Sequence, residues 1–370
     1  MDFTLDSEQA ALRDAVRGLL KGYDAEHRRE VVADEPGFDE KMWGRLAEMG
    51  ALGLPFPEDD GGVGAGPVEV AVVAEEVGRV LAPEPFVESV VLAGGLVAAR
   101  GSQEQRSELL GAVTAGELVL AFAWSDPTGG EAGVTVDGET LIGVKEPVLN
   151  GGRADALVVF AEGQLFLVPA ETLGGETVTR TSYRSFDGSH AARIAFDRTP
   201  VVPLGDGGDA TEATQDVIAA AVVAYCHEAL GAMDTALQLT TEYLKTRKQF
   251  GVTLNRFQSL TFRAADMYMS LELTRSIVTW ATMVLADPDQ SPERKREAAA
   301  RAKLQVSRAG RHVGQEAIQL HGGIGMTAEY AVGHYTARLT AIDHLLGDGR
   351  QQVRNLSRRL SEYGVVEPLP

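Results

Sequence analysis

An arginine, an aromatic ring and a glycine fall together at 247–251, inside the run TEYLKTRKQFGVTLNRFQ that spans 241–258. Arg247 carries a permanent planar charge, suited to the oxygens of a phosphate or pyrophosphate. Phe250 offers a flat face to an adenine or a ribose, and Gln258 opens the next helical run. A second stretch, QEAIQLHGGIGMTAEY at 315–330, is a helix running into Gly322, Gly323 and Gly325. Glycines there let a ligand approach the backbone, while Gln319 and His321 bring hydrogen-bonding groups. Each motif alone has a plainer reading. An arginine near a helix end is favoured by the helix dipole, and a glycine cluster after a helix is a cap and a loop.

The elements that position these residues follow from periodicity and punctuation. Apolar residues at helical spacing mark 5–23, and 38–50 is a second helix ending at Gly50. The Pro- and Gly-rich stretch PFPEDDGGVGAGPVE is a loop, followed by helices over 67–81, 86–100 and 103–115. From Glu117 the pattern changes to short apolar runs at 117–124, 132–137, 139–145, 155–160, 164–168 and 190–196. Asp-Gly, Gly-Gly and Glu-Gly turns separate them, which signals antiparallel β structure in a small barrel or sandwich. The clearest hairpin has Val134 and Val136 on one arm, a turn at Asp137-Gly138, and Leu141 on the other. Residues 204–209 are a linker, and helix returns over 212–246, 255–287, 292–321, 328–346 and 349–362. Ser291-Pro292-Glu293 is a helix-start signature, and Gly231 within the first long helix permits close packing. The expected fold class is α+β: a helical domain over 1–116, a β domain over 117–205, and a helical bundle over 206–370.

Composition narrows the function. A net charge of −19 leaves no basic excess to neutralise nucleic-acid phosphates or an anionic membrane surface. Cys226 is the only cysteine, so no disulfide forms within the chain, and its apolar surroundings point to packing. The acidic, amphipathic start lacks the features of a signal peptide, and no apolar run of membrane-spanning length stands out; a cytoplasmic protein is expected. His312, His334 and His344 have no metal-site spacing. Trp43, Trp124 and Trp280 suit core or contact roles. Arg350, Arg354, Arg358 and Arg359 crowd the last helix, a pattern that is ordinarily a solvated face and in an acidic protein also suits a subunit contact or the phosphates of a cofactor.

Helices, then β strands, then helices is the order of the acyl-CoA dehydrogenases, and nearly the whole chain resembles that family. The Arg-x-Gln-Phe-Gly turn at 247–251, the Gln-x-x-Gly-Gly-x-Gly loop from Gln319, and Pro57-Glu58-Asp59-Asp60-Gly61-Gly62-Val63-Gly64 carry the resemblance. It implies a flavoprotein that binds FAD and oxidises an acyl-CoA thioester to its 2,3-enoyl form. A carboxylate takes the α proton while hydride leaves for the flavin. The electron acceptor it implies is an electron-transfer flavoprotein. It also implies that Arg247, Phe250, Gln258, Gln319, Gly322 and Gly323 hold the adenosine diphosphate half of an FAD whose ring lies in a neighbouring subunit.

The other two sites of the family's pattern depart from it. The glutamate of its Tyr-Glu-Gly-Thr motif falls on Gly347, within Leu346-Gly347-Asp348-Gly349. Asp348 stands one residue later and one methylene shorter. The alternative base position, on the first long helix of the bundle, falls on Ala221, and the nearby His227 and Glu228 read as polar-face residues. The Trp-x-Thr strand of the ring pocket is replaced by a run with Pro147 and Leu149, while Ser125-Asp126-Pro127 keeps the hydroxyl and acid of a Thr-Glu-Pro. Ser125 is thus the ring-side residue retained. The chain keeps what it gives to a partner's flavin and lacks what it needs for its own.

The leading expectation is therefore a half-site subunit in an α2β2 assembly. A paralogous partner supplies the base, as in the heteromeric actinobacterial dehydrogenases that act on sterol side chains or other bulky acyl groups. The second reading is a self-sufficient homodimer or homotetramer using Asp348 or a base not placed by the pattern. The third is a flavin-free scaffold that keeps only the fold.

Overall fold

The computed structural model describes residues 4–128, 133–358 and 360. The helices begin where local chemistry satisfies their first N–H groups. In α1 (Ser7–Leu20) Asp6 accepts from Glu8 N and Gln9 N, and the Gln9 side chain bonds back to Asp6 N, closing a capping box. Next come α2 (Ala25–Val31), which has no strong apolar period and escaped the sequence reading, and α3 (Glu40–Glu48). Gly50, at φ +80°, ends that segment. The next helix is α4 (Pro67–Val80). The single helix expected over 86–100 is in two parts, a buried π-helical stretch (Phe86–Gly94) and α5 (Gly95–Arg100); α6 (Gln103–Thr114) closes the group.

The β region has two sheets of four strands. One contains β1 (Leu120–Ala123), β4 (Ala156–Ala161), β5 (Gln164–Val168) and β8 (Val202–Pro203). The other contains β2 (Thr135–Asp137), β3 (Thr140–Leu149), β7 (His190–Pro200) and β6 (Val178–Arg184). Leu157, Val159 and Phe166 from the first meet Leu141, Val148 and Ile194 from the second in one apolar cluster, so the pair is a sandwich. The expected hairpin is present, with Val136 opposite Leu141.

Two features differ from the sequence expectation. First, β1 and β4 pair in parallel, because β2 and β3 intervene in the other sheet. Second, β6 forms an edge strand from the mostly exposed run VTRTSYR, which has no apolar alternation to betray it. A short α7 (Ala170–Leu173) lies between β5 and β6.

The bundle is built on α8 (Thr211–Thr246), α9 (Gln258–Ala286), α10 (Pro292–His321) and α11 (Val332–His344), with α12 (Gly349–Ser357) laid across it. α11 starts four residues later than expected, after a turn at 327–330. Ser291 caps α10 through Arg294 N, with Pro292 in the first turn. Of the basic run on α12, Arg350, Arg354 and Arg358 are exposed, and Arg359 lies outside the described residues. By length and composition α8 alone among the described helices could cross a membrane, but 78% of its apolar window is buried inside the fold.

α4 and α8 cross at two glycines. A Cβ on Gly231 would stand 2.0 Å from Glu75 O, and one on Gly78 would stand 1.9 Å from Glu228 O. Gly231→Ala should therefore force the helices apart and destabilise the fold by about 3 kcal/mol, read as a fall in the urea midpoint. Gly18→Ala, in α1 with nothing within 4 Å of the new Cβ, should be neutral or stabilising. Equal loss in both variants would sink the packing account.

Candidate functional site

The motif residues sit at one end of the bundle. Arg247 ends α8 in an extended conformation, and Leu254 N donates to Arg247 O at 2.9 Å, folding the chain back. Lys248–Gln249 pair with Val252–Thr253 across a two-residue turn at Phe250 (φ +53°) and Gly251 (φ +82°). Phe250 is 92% exposed and meets Phe257 edge-on at 6.2 Å. Phe257 is the N-cap of α9, so Gln258 begins that helix beside the hairpin.

The second motif is joined to the first by aromatic contacts. Tyr243, one turn before Arg247, stacks on His321 at 4.5 Å, and Tyr330 lies 5.0 Å from the same ring. Across the bundle, Arg263 of α9 binds Glu316 of α10. Arg247, Gln258, Gln319, Gly322 and Gly323 are exposed with Phe250 at these adjoining helix ends. Gly322, at φ +66° and ψ −142°, holds a backbone conformation reserved for glycine. His321 differs from the sequence expectation: it is buried, and its Nδ1 donates to Ala317 O at 2.8 Å. Burial also lowers its pKa, so it packs as a neutral ring under the turn.

A separate cleft of about 590 Å³ lies between the end of β1, α8, α10 and α12. Ser125 and Gly347 line it together. Ser125 O accepts from Glu146 N, and the buried Lys145 ammonium staples the same loop by donating to Trp124 O at 3.0 Å and Asp126 at 2.7 Å. Trp124 packs its ring on Phe160 at 4.8 Å. Pro147 sits where the register between β3 and β7 slips. Trp43 is in the core, as expected.

No expected carboxylate faces this cleft. Asp348 caps α12, accepting from Gln351 N at 2.7 Å, and lies beside Arg308, Arg311 and Arg350 instead. Gly347 is at φ +99°, and a Cβ there would come within 3.0 Å of Gln352 Nε2. Ala221 is fully buried and away from the cleft wall. The one carboxylate among the lining residues is Glu297, which the sequence reading missed, and Arg301 at 2.6 Å and Arg294 at 3.2 Å hold it. Its i, i+4 spacing to Arg301 looks like an ordinary surface pair.

His227 and Glu228 correct the polar-face reading, since both are buried. His227 Nε2 is 2.7 Å from Thr282 Oγ1. Glu228 takes two bonds from Arg338, at 2.6 and 3.1 Å. Lys303, also fully buried, donates to Ile342 O and to Leu345 O and so fixes the turn that enters the cleft. Burial pushes Lys303 down to about 8. No group of metal-ligating side chains occurs among the described residues.

Comparison with known proteins decides the family. Models of the acyl-CoA dehydrogenase N-terminal and C-terminal domains match residues 6–117 and 212–361. The acyl-CoA dehydrogenase IpdE2 of Mycobacterium tuberculosis is 32% identical over 97% of this chain and 99% of its own. The chain belongs to the acyl-CoA dehydrogenase family. The acyl-CoA dehydrogenase FadE27 of M. tuberculosis is 29% identical over 98% of this chain and 99% of its own. Among solved structures, a chain of the ChsE4-ChsE5 complex from M. tuberculosis superposes with a TM-score of 0.89 at 28% identity, covering 99% of this chain and 100% of that one. A chain of the Tcur3481-Tcur3483 steroid ACAD superposes at 0.87 with 30% identity, over 97% and 99%.

Proposed function

We propose that this chain is the half-site subunit of a heteromeric, FAD-dependent acyl-CoA dehydrogenase. In this reading it lends Arg247, Phe250, Gln258, Gln319, Gly322 and Gly323 to the adenosine diphosphate half of a flavin whose ring, base and acyl pocket belong to a paralogous partner. The observation that carries it is the state of the chain's own cleft. Gly347 stands where the family's base is expected, its φ of +99° strains any other residue, and Asp348 and Glu297 are both engaged elsewhere.

The residues present fit one half of the cofactor. An exposed arginine, an open glycine turn and an unpacked phenylalanine suit a pyrophosphate and an adenosine. Flavin, when bound, supplies the hydride acceptor. By contrast, Pro147 and Leu149 stand in the sequence where the ring-side residues are expected and neither lines the cleft, which leaves Ser125 without its expected companions. An apolar face supports assembly as well: Phe262, Met269, Leu273 and Ile277 form one exposed stripe on α9 near the hairpin. The two solved assemblies above are each named for two components, which supports a paralogous partner and, through the second, a steroid-type or other bulky acyl-CoA. The acceptor we propose is an electron-transfer flavoprotein. A chain in the structure of an electron transferring flavoprotein of Acidaminococcus fermentans superposes with a TM-score of 0.87 at 26% identity.

The test is a visible spectrum with a native mass. Expressed alone, the chain should be colourless. Expressed with its paralogue, it should give a yellow complex holding fewer flavins than subunits. One FAD per chain in a homo-oligomer would overturn the proposal.

A further inference from the structure

The two motif turns come from the ends of different helices. Among the described residues no hydrogen bond joins residues 241–258 to residues 317–330. Beyond the common core, three rings join them. Tyr243 of α8 stacks on His321 of α10 with ring centres 4.5 Å and planes 29° apart. Tyr330 lies 5.0 Å from His321 and 6.3 Å from Tyr243, which closes a triangle.

Each of the first two rings is tied to a motif residue. Arg247 N donates to Tyr243 O at 2.8 Å, so Tyr243 holds the start of the first turn. His321 is the last residue of α10, and the N–H of Gly322 beside it turns back onto Gln319 O and Ile318 O. A Cβ on Gly325 would stand 3.1 Å from His321 Cβ, so the second turn is wrapped against this side chain. In a close-packed joint, a shift of the imidazole moves one turn against the other.

We propose that His321 is a positioning residue for the nucleotide anchor. Clamped between Tyr243 and Tyr330, its ring sets the spacing of Arg247 against Gly322 and Gly323. The inference rests on the half-site assignment proposed above, in which those residues hold the adenosine diphosphate half of a flavin.

The clamp requires a neutral ring. Nδ1 donates to Ala317 O at 2.8 Å, so the added proton of an imidazolium would stand on Nε2. Nε2 is buried without a hydrogen-bond partner, and the residue is 4% exposed. Burial lowers the pKa of the ring, and the Ala317 carbonyl opposes this only in part. The titratable groups facing it are Tyr243 from α8 and Tyr330 from the following turn, with Glu242 near Tyr330. Neither tyrosine changes charge in the acid range. In acid, therefore, His321 gains its second proton by leaving the clamp. The flavin-free subunit can open in this way, and the subunit with a nucleotide seated cannot. Affinity is full above the ordinary imidazole range and is lost as pH falls through the lowered value.

The experiment measures flavin affinity in the complex with the paralogue, with native mass as the check on assembly. His321→Ala should weaken flavin by about tenfold or more. His321→Phe keeps a stacking ring and should hold flavin at neutral pH. From about pH 7.5 to about pH 5 the wild type should lose affinity by about tenfold or more, and His321→Phe should not. Tyr243→Leu removes the same stack from the half-buried side and should lose flavin as His321→Ala does, which keeps the test decisive if His321→Ala fails to assemble. Flavin retained by His321→Ala and Tyr243→Leu but lost by Arg247→Ala would overturn the role of His321 and leave the half-site assignment standing. Retention by Arg247→Ala as well would overturn both. An acid loss that His321→Phe shares with the wild type would also overturn the role of His321.

Discussion

Arg338→Met should cost about 4 kcal/mol of stability, enough to leave much of the protein unfolded at moderate temperature. The guanidinium is largely buried, with 12% of the side chain exposed, where three parts of the chain meet. It binds Glu228 of α8 twice, Asp187 at 3.0 Å and Ser189 Oγ at 2.9 Å in the β6–β7 turn, and lies 3.9 Å from Glu88 of the π-helical stretch. Tyr225 donates to Glu88 at 2.9 Å, and Arg28 of α2 donates to Asp187 O at 2.7 Å. Methionine fills a similar volume but strands buried carboxylates without their cation, and that desolvation is the source of the loss.

The pH dependence identifies the cause. Burial raises Asp187, but Arg338 and Ser189 outweigh it, so its pKa is depressed in the folded wild type. A depressed acid contributes stability above its unfolded pKa, and that stability is lost as pH falls through the folded value. In Arg338→Met Asp187 loses its cation and is raised, so the native state takes up a proton. The destabilisation, measured as the difference in urea midpoints, should be larger at pH 8 than at pH 5. Adding Glu228→Gln should recover part of it. A loss independent of pH would mean that Arg338 acts by packing alone.

This cluster also shows where reading the chain alone stops. Capping and turn chemistry are local, so Gly50, Asp137-Gly138 and Ser291-Pro292 mark their elements in the sequence itself. The Arg247 and Gln319 turns were legible for the same reason, since a tight turn with a glycine shows itself within a few residues. Glu228 was not, because whether an acid on an alanine-rich helix points inward depends on Arg338, 110 residues away. Lys303 and Lys145 are buried against carbonyls and a carboxylate 42, 21 and 19 residues away, also beyond the reach of local pattern. β6 escaped because an edge strand can bury one face so sparingly that no period-two pattern remains. The parallel pairing of β1 with β4 is a non-local choice that intervening turns do not encode. Gly347 could be named as a missing glutamate, but its positive φ, which closes the position to replacement, belongs to the folded turn.

Arg247→Ala, made in the complex with the paralogue, should bleach the complex while leaving it assembled. A planar cation on a pyrophosphate contributes charge-assisted bonds of about 1.5–3 kcal/mol, which is roughly a ten- to hundredfold loss of flavin affinity. Among the described residues Arg247 makes no side-chain bond that the change would break: it is exposed, and its backbone makes the hairpin. Flavin retained after desalting, measured against protein, should therefore fall steeply while native mass and thermal transition of the flavin-free complex stay put. The matching change in the chain's own cleft is Ile218→Trp. Ile218 is half-buried on the wall of a cleft of about 590 Å³, so the larger side chain has room and would occupy the space a ring needs. In a half-site subunit Ile218→Trp leaves the flavin content unchanged, because no ring enters that cleft, whereas in a self-sufficient enzyme both variants lose flavin together. The two substitutions thus separate a chain that lends an anchor from one that builds a whole site, and an equal loss in both would return the search for a base to Asp348 and Glu297.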